Sequence, residues 1–292
     1  RTGRPIKTIA GSVLVEGGLA LSHDGTRLAA AITADGARDT DIWIYDLAQG
    51  APGPLTFDEG GDRYPAWSTD DRQVIYTNDR KNDGIVFKRP ANGQGQPAQV
   101  ASNVSGMRSW GWSHDGGWLL VATLADATAE DLARFDIESQ KLSPLVNTPF
   151  TESSGALSPD DRFLAYQSDD TGRPEVYVLS LGADAGRWRI SSLGGTIPSW
   201  GRDGRELYFL TPRGQVMVVE IEPGGTFRPS APRELFRADF RFFSSPYREY
   251  AAAPDGQRFV IDVLKERSLT LLTLVTNWTA AAGGPTSPRR DR

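Results

Sequence analysis

The sequence predicts an all-β protein: a six-bladed β-propeller with four-stranded blades, closed into a ring by an N-terminal strand. Three observations lead to this fold class. One turn phrase recurs six times at a nearly constant spacing, and short strand-like segments flank every copy. No segment has the pattern of an amphipathic helix, which disfavours a parallel α/β fold because that fold needs a helix between successive strands.

The turn phrase centres on an aspartate that is followed by glycine or by a second aspartate. Its successive copies lie 46, 45, 45, 43 and 52 residues apart, so the fifth unit carries an insertion. Asp-Gly accepts positive φ, and an aspartate carboxylate can bond nearby backbone amides. Each phrase therefore predicts a hairpin turn between two strands. The shared aspartates are Asp24, Asp70, Asp115, Asp160, Asp203 and Asp255.

Each unit is predicted to hold four strands. The first leads into the turn, as residues 64–67 do, and the second leaves it with alternating polarity, as residues 73–77 do. The third strands are 41–47, 85–88, 132–137, 175–181, 215–221 and 269–275. Weaker fourth strands are predicted at 53–57, 97–101, 142–146 and 187–191. Four short strands in about 45 residues match a propeller blade.

The two ends of the repeat predict how the ring closes. The sixth unit has no fourth strand after Val275, whereas residues 5–10 form a strand-like segment that has no turn phrase of its own. This N-terminal strand is predicted to complete the sixth blade and so remove a free edge; residues 13–16 remain an alternative. The domain is predicted over residues 1–280, with a flexible tail at 281–292.

Composition excludes several classes of function. The formal net charge is −5 and the basic residues are spread along the chain, so no nucleic-acid partner is predicted. There are no cysteines, which excludes disulfides and thiolate metal sites. The longest nearly apolar stretch, residues 269–275, is far shorter than a membrane span. Membrane association is predicted only through a segment outside this chain.

The repeats resemble those of the TolB family of bacterial propellers, whose blades carry a Trp-Ser-Pro-Asp-Gly-like phrase before an apolar strand. Residues 269–279 are also similar to the close of propellers that follow a kinase domain and a membrane helix in some bacterial serine/threonine kinases. This second resemblance implies an extracytoplasmic sensor domain, periplasmic or on the cell surface. The chain contains no kinase motif, so any kinase is expected elsewhere in a longer protein.

No catalytic residue and no metal ligand is predicted. Ser113, His114 and Asp115 are consecutive, and consecutive side chains do not converge as a catalytic triad requires. His23 has the same place in its repeat as His114, which favours a turn role for both. No cofactor is predicted either. Calcium remains possible at two acidic loop clusters, for which solvated loop acids are the favoured interpretation: Asp58, Glu59 and Asp62, and Asp35, Asp39 and Asp41.

Binding residues are predicted where loops enter the innermost strands, because these loops ring one mouth of the central channel. The residues nominated there are Arg63, Tyr64, Arg108, Trp110, Glu152, Tyr247 and Arg248. The insertion of the fifth unit adds an aromatic and basic run, residues 240–243, with Phe242 and Phe243 as contacts for a protein or peptide. Its alternative is a loop that folds onto the propeller.

The repeat tryptophans Trp67, Trp112 and Trp200 are predicted to pack between blades. Trp43 and Tyr45, on a third strand, are also predicted core residues. The sequence therefore predicts a non-catalytic binding module that takes a protein, a peptide or a small ligand at the channel mouth. The alternative is a propeller accessory to a peptidase or a carbohydrate-active enzyme.

Overall fold

The computed structural model describes residues 4–49, 52–79, 84–101, 106–124, 130–182, 186–224, 226–238, 247–265 and 269–276. Within these ranges, no helix is long and apolar enough to cross a membrane. The strands are β1 (Arg4–Leu21), β2 (Arg27–Thr33), β3 (Asp41–Asp46), β4 (Pro52–Pro54), β5 (Asp62–Trp67), β6 (Gln73–Asn78), β7 (Ile85–Pro90), β8 (Ala98–Gln99), β9 (Arg108–Trp112), β10 (Trp118–Leu124), β11 (Glu130–Asp136), β12 (Lys141–Val146), β13 (Glu152–Leu157), β14 (Phe163–Ser168), β15 (Glu175–Ser180), β16 (Arg187–Arg189), β17 (Thr196–Trp200), β18 (Glu206–Leu210), β19 (Gln215–Glu220), β20 (Arg233–Arg237), β21 (Tyr250–Ala252), β22 (Arg258–Lys265) and β23 (Leu269–Thr276).

Four sheets have four antiparallel strands each, in simple up-and-down order. They are β5 to β8, β9 to β12, β13 to β16 and β17 to β20. The predicted third strands coincide closely with β3, β7, β11, β15, β19 and β23. The fourth strands β4, β8 and β16 have only two or three residues, so they are shorter than the segments predicted for them.

The remaining strands form one seven-stranded sheet, in the order β21-β22-β23-β1-β2-β3-β4. Strand β1 joins its two parts, because Arg4 to Val13 pair with β23 and Leu14 to Leu21 pair with β2. The described strands form five sheets, so the prediction of six separate blades is wrong. The physical reason is that both segments considered for ring closure belong to one continuous strand that is hydrogen bonded on both sides.

The turn phrases form the hairpin turns predicted for them. Gly25 and Gly116 have φ values of 70° and 71°, and Asp71 and Asp161 take the same left-handed conformation at φ 56°. The shared aspartates accept hydrogen bonds from their own turns; Asp24, for example, accepts from the Thr26 amide at 2.9 Å. Because Asp tolerates positive φ better than most residues, the Asp-Asp phrases can replace Asp-Gly here.

The innermost strands are bulged three residues before the turn phrase. Strands β5, β13 and β17 each shift register there, and the residues at this position have positive φ: Tyr64 at 57°, Ser154 at 53° and Ile197 at 51°. Gly18 holds the same position in β1, with φ 93°. A bulge bends its strand and re-aims the neighbouring side chains, so the channel wall changes direction at this level.

The core lies between neighbouring sheets. Trp67 is buried among residues of β2, β3 and β6, and its Nε1 donates to the Ala20 carbonyl at 2.9 Å. Trp200 makes the equivalent bond to the Ala156 carbonyl at 3.1 Å, and Trp112 packs with buried residues of two sheets. The prediction that these tryptophans pack between blades is confirmed. Trp43 and Tyr45 also belong to the core.

Candidate functional site

A cavity of about 400 Å³ lies where the ends of the innermost strands meet. Residues from β1, β5, β9, β13, β17 and β21 line it, together with the turns that follow these strands. Its wall includes the three repeat tryptophans, so much of the lining is aromatic. The volume falls in the range of about 300–1,000 Å³ that is usual for ligand pockets.

The rim of the cavity is formed by the same repeat position in all six turn phrases. Each of these residues directly precedes the shared aspartate of its phrase. They are His23, Thr69, His114, Pro159, Arg202 and Pro254. The cavity therefore opens on the side of the hairpin turns.

Neighbouring turns are tied together at this rim. The Asp71 carboxylate accepts from the His23 amide at 2.7 Å, from His23 Nδ1 at 2.9 Å and from the Asp24 amide at 2.9 Å. The His114 amide donates to Asp161 in the same way, at 2.7 Å. The histidines thus have the turn role predicted for them, and in addition they line the cavity.

Arg248 lies at the inner end of the cavity. Its Nη2 donates to the Gly155 carbonyl at 2.9 Å, and its Cζ lies 5.6 Å from the centre of the Trp110 ring. Burial lowers the pKa of the guanidinium to about 10, so the group is still charged at neutral pH. Beyond Arg248 the channel narrows to a gap of about 10 Å³, lined by Gly18, Tyr64 and other residues.

Three of the predicted aromatic residues lie together next to this gap. Tyr64 packs edge-on to Trp110 at a centroid distance of 5.6 Å, and it packs against Tyr247 at 5.3 Å. Burial raises the pKa of the Tyr64 hydroxyl above its usual value. This cluster fills the channel on the side where the loops enter the innermost strands.

Two predicted arginines are paired with acids instead of facing the 400 Å³ cavity. Arg63 forms an ion pair with Asp79, and its Nε donates to the Glu16 carbonyl at 3.1 Å. Arg108 forms an ion pair with Glu130. Neither arginine lines the cavity. Of the nominated residues that the structure describes, Trp110 and Arg248 line it.

Glu152 is fully buried. It accepts from the Thr148 hydroxyl at 2.6 Å and from the Ser168 hydroxyl at 3.3 Å, and burial raises the pKa of its carboxyl. This arrangement is that of an internal hydrogen-bonding group. Phe242 and Phe243, with the rest of residues 240–243, lie outside the described residues, so their predicted binding role stays a prediction.

The acidic clusters considered for calcium contain one buried carboxylate. Asp62 is fully buried and accepts from Asn78 Nδ2 at 2.7 Å. Its pKa is raised to about 6, mainly by burial and in part by Asp41 and Asp58. In the described ranges, no group of three or more histidine or acidic side chains is placed to hold a metal ion. Calcium binding here stays a prediction.

The residues that sequence reasoning missed are those of the turn-side rim. Their signal was present, because the turn phrase places one variable residue before each shared aspartate. A position whose residue differs among the six copies is not required by the turn and can contact a ligand. The aspartate that all six copies share stabilises the turn. The sequence alone did not show which of the two channel mouths is open.

Comparisons with known proteins agree with the propeller fold. No family model matches the chain. An uncharacterized peptidase of Bacillus subtilis (strain 168), YuxL, is 24% identical over 202 residues, which covers 53% of this chain and 31% of that protein. The chain thus spans about a third of the length of this curated relative.

Two TolB structures share the fold. A putative TolB from Agrobacterium tumefaciens has a TM-score of 0.62 at 17% identity and covers 92% of this chain and 91% of that chain. TolB from Acinetobacter baumannii has a TM-score of 0.59 at 17% identity, over 76% and 54% of the two chains. An oligogalacturonate lyase in complex with manganese has a TM-score of 0.59 at 13% identity, over 91% and 90%. The fold of the chain is that of an all-β propeller with four-stranded antiparallel blades, similar to the fold of the two TolB structures.

Proposed function

We propose that this chain is a non-catalytic binding module that takes a protein segment, a peptide or a small ligand into its central channel through the turn-side mouth. The observation that carries the proposal is the cavity of about 400 Å³, to which all six turn phrases contribute. Propellers use such convergent loop residues around a channel to bind ligands. The aromatic side chains of the wall and the polar side chains at the rim suit this role.

We also infer that the seven-stranded sheet acts as two blades that share β1, which closes a ring of six. Two observations support this. The core cluster around Leu19 and Leu28 includes Val260 of β22, so the two parts of the sheet pack against each other as neighbouring blades do. The turns after β1 and β21 both reach the same cavity, through His23 and Pro254. A closed ring leaves no free sheet edge.

The wider setting of the module follows from the sequence resemblances. We propose an extracytoplasmic location and, in a longer protein, a sensor role attached to a serine/threonine kinase. The support is the similarity of residues 269–279 to the close of kinase-associated propellers. None of the similar proteins described above is a kinase, so this part of the proposal depends on that segment alone.

The test blocks the cavity without disturbing the fold. Gly111 lies on β9 in the cavity wall, and a Cβ atom added there meets nothing within 4 Å. Gly53, on the exposed strand β4, has equally open surroundings and serves as the matched control. We would pan a phage library of random linear peptides against the wild-type chain and measure the recovered peptides on Gly111→Trp and Gly53→Trp.

The proposal expects the recovered peptides to bind Gly53→Trp as they bind the wild type, and to bind Gly111→Trp at least about tenfold more weakly, a difference of about 1.4 kcal/mol. Peptides that bind all three proteins equally would place recognition outside the channel and contradict the proposal. Circular dichroism of both variants checks that the fold is kept.

The second candidate is a propeller accessory to a peptidase or a carbohydrate-active enzyme. The observation in its favour is the similarity to YuxL, which is named a peptidase and of which this chain spans 31%. The channel would then admit substrate to a catalytic domain elsewhere in a longer protein. Joining this chain to such a domain, and finding that Gly111→Trp slows cleavage of long but not short peptides, would support this candidate.

A further inference from the structure

We propose that the inner end of the channel is a carboxylate site, at which Arg248 binds the acid group of a ligand with an apolar body. This inference rests on the proposed function, since the ligand must enter the channel from the turn side. It adds the chemical class of the ligand and the residue that selects it.

The position of Arg248 is fixed by its backbone. Its carbonyl accepts from the Leu19 amide at 3.1 Å. A Cβ atom at Gly18 would lie 3.3 Å from the Arg248 backbone nitrogen. This close approach, together with a φ of 93° at Gly18, favours glycine at this position. The guanidinium then reaches across the channel to the Gly155 carbonyl of β13 and the Trp110 ring of β9. The guanidinium thus contacts two strands, β13 and β9.

The charge of Arg248 has no acidic partner among the described residues. Arg63 and Arg108, close by along the same channel, are each paired with an acid, Asp79 and Glu130 respectively. Within the described part of the chain, the Arg248 guanidinium donates one hydrogen bond, to the neutral Gly155 carbonyl. Arg248 is partly buried, and a charge withdrawn from water without a counter-ion is costly. An anion from outside would supply the missing partner.

The cavity in front of Arg248 suits one acid group on an apolar body. Its charged lining residues are Arg248 at the inner end, Arg202 at the rim and a single acid, Asp161, which is engaged by the His114 amide. The wall between the two ends is mainly tryptophan and small apolar residues. Arginine binds carboxylates in a two-pronged geometry that adds specificity.

The carboxylate can come from a free organic acid or from the C-terminus of a peptide. We would measure binding to the full chain by titration calorimetry with 4-phenylbutyrate and with its neutral amide. The peptide probes are N-acetylated Ala-Ala-Phe with a free and with an amidated C-terminus. The variants are Arg248→Met, Arg248→Lys and, as a control at the rim, Arg202→Met.

We expect at least one acid to bind about tenfold or more tightly than its amide, as a charge-assisted hydrogen bond to a partly buried guanidinium provides. Arg248→Met should remove this preference, Arg248→Lys should restore part of it, and Arg202→Met should retain it. The acid that binds more tightly identifies the source of the carboxylate.

Equal binding of acid and amide to the wild type would overturn the inference, and this comparison needs no variant to fold. Loss of the preference in Arg202→Met with retention in Arg248→Met would also overturn it. If the acid and the amide bind the wild type equally and neither binds Gly111→Trp, the proposed channel site is supported and only its selectivity for carboxylates is wrong. If Gly111→Trp leaves all binding unchanged, the proposed function fails as well.

Discussion

Ser154 combines two unfavourable features at one position. It has a φ of 53°, in the left-handed region that favours glycine, and its hydroxyl is buried without a hydrogen-bond partner in the described structure. Such a backbone conformation costs on the order of 1–3 kcal/mol for a residue other than glycine. We therefore expect Ser154→Gly to raise the free energy of unfolding by about 1 kcal/mol, measured by urea denaturation.

Its neighbour provides the matched control. Ser153 is equally buried but is not among the residues with positive φ. Ser153→Gly should lower the free energy of unfolding by roughly 0.5–1 kcal/mol, because glycine in an extended strand only adds conformational entropy to the unfolded chain. If both substitutions destabilise the protein to the same extent, the bulge at Ser154 stores no strain.

Asp62 predicts a dependence of stability on pH. Its folded-state pKa is raised to about 6, mainly because burial penalises the charged carboxylate. The native state then holds a proton between pH 4 and pH 6 that the unfolded state has released, so this group's contribution to stability falls as pH rises through that window. Asp62→Asn should remove this contribution and exceed the wild type in stability above pH 6, by on the order of 2–3 kcal/mol.

The measurement is chemical denaturation of wild type and Asp62→Asn at pH 4 and at pH 7, with Asp35→Asn on an exposed loop as the control. The difference between Asp62→Asn and the wild type should be small at pH 4 and should appear at pH 7, whereas Asp35→Asn should follow the wild type at both. A difference that does not change with pH would contradict the raised pKa.

At the scale of the elements, hairpin turns of neighbouring units are held by an aspartate that also has positive φ. Asp71 accepts three hydrogen bonds from the preceding turn, and Asp161 accepts one. Substitution by glycine keeps the turn conformation, since both residues have φ 56°, and removes only the carboxylate. Asp71→Gly should therefore destabilise the protein more than Asp161→Gly, by about 1–2 kcal/mol if each lost bond is worth about 1 kcal/mol.

Thermal denaturation of the two variants and the wild type tests this order. Asp71→Gly should have the lowest melting temperature and Asp161→Gly an intermediate one. If both variants melted at the same temperature as the wild type, the hydrogen bonds between neighbouring turns would not contribute to stability.

The elements show which features the sequence predicts and which it does not. The second strands β2, β6, β10, β14 and β18 are buried over nearly their whole length because both faces pack on neighbouring sheets. Their apolar runs marked their positions in the sequence, although the alternating polarity predicted for residues 73–77 is wrong. Strand β4, Pro52–Pro54, is entirely exposed, so no burial pattern defined its length. The bulges escaped prediction because Tyr64 and Ile197 take a backbone conformation that their residue types disfavour. Packing between sheets imposes it.

At the scale of the whole molecule, the channel has two unlike mouths. The sequence predicted the residues of the mouth where loops enter the innermost strands. There the aromatic cluster of Tyr64, Trp110 and Tyr247 fills the space, and Arg63 and Arg108 are paired with acids. The open volume lies on the turn side. Which end is filled depends on side chains from several blades meeting across the ring, and no single repeat carries that information.

Strand β1 joins the first strands of the fold to its last strand, β23. The first ten residues of β1, Arg4 to Val13, pair with β23, and the rest of the strand begins the first blade. Removal of residues 1–10 should expose β23 as a free edge and loosen the packing around Leu19 and Val260. We expect the free energy of unfolding to fall by several kcal/mol, because five of the six positions of β1 that pair with β23 are lost, together with their packing.

Urea denaturation and size-exclusion chromatography measure this effect, and removal of residues 281–292, the predicted tail, is the control. The first deletion should lower the midpoint of unfolding and promote association through the exposed edge, whereas the second should leave both unchanged. An N-terminal deletion that unfolds like the wild type would mean that the ring does not depend on β1 for its closure. The closure inference would then be wrong even though the pairing of β1 with β23 exists.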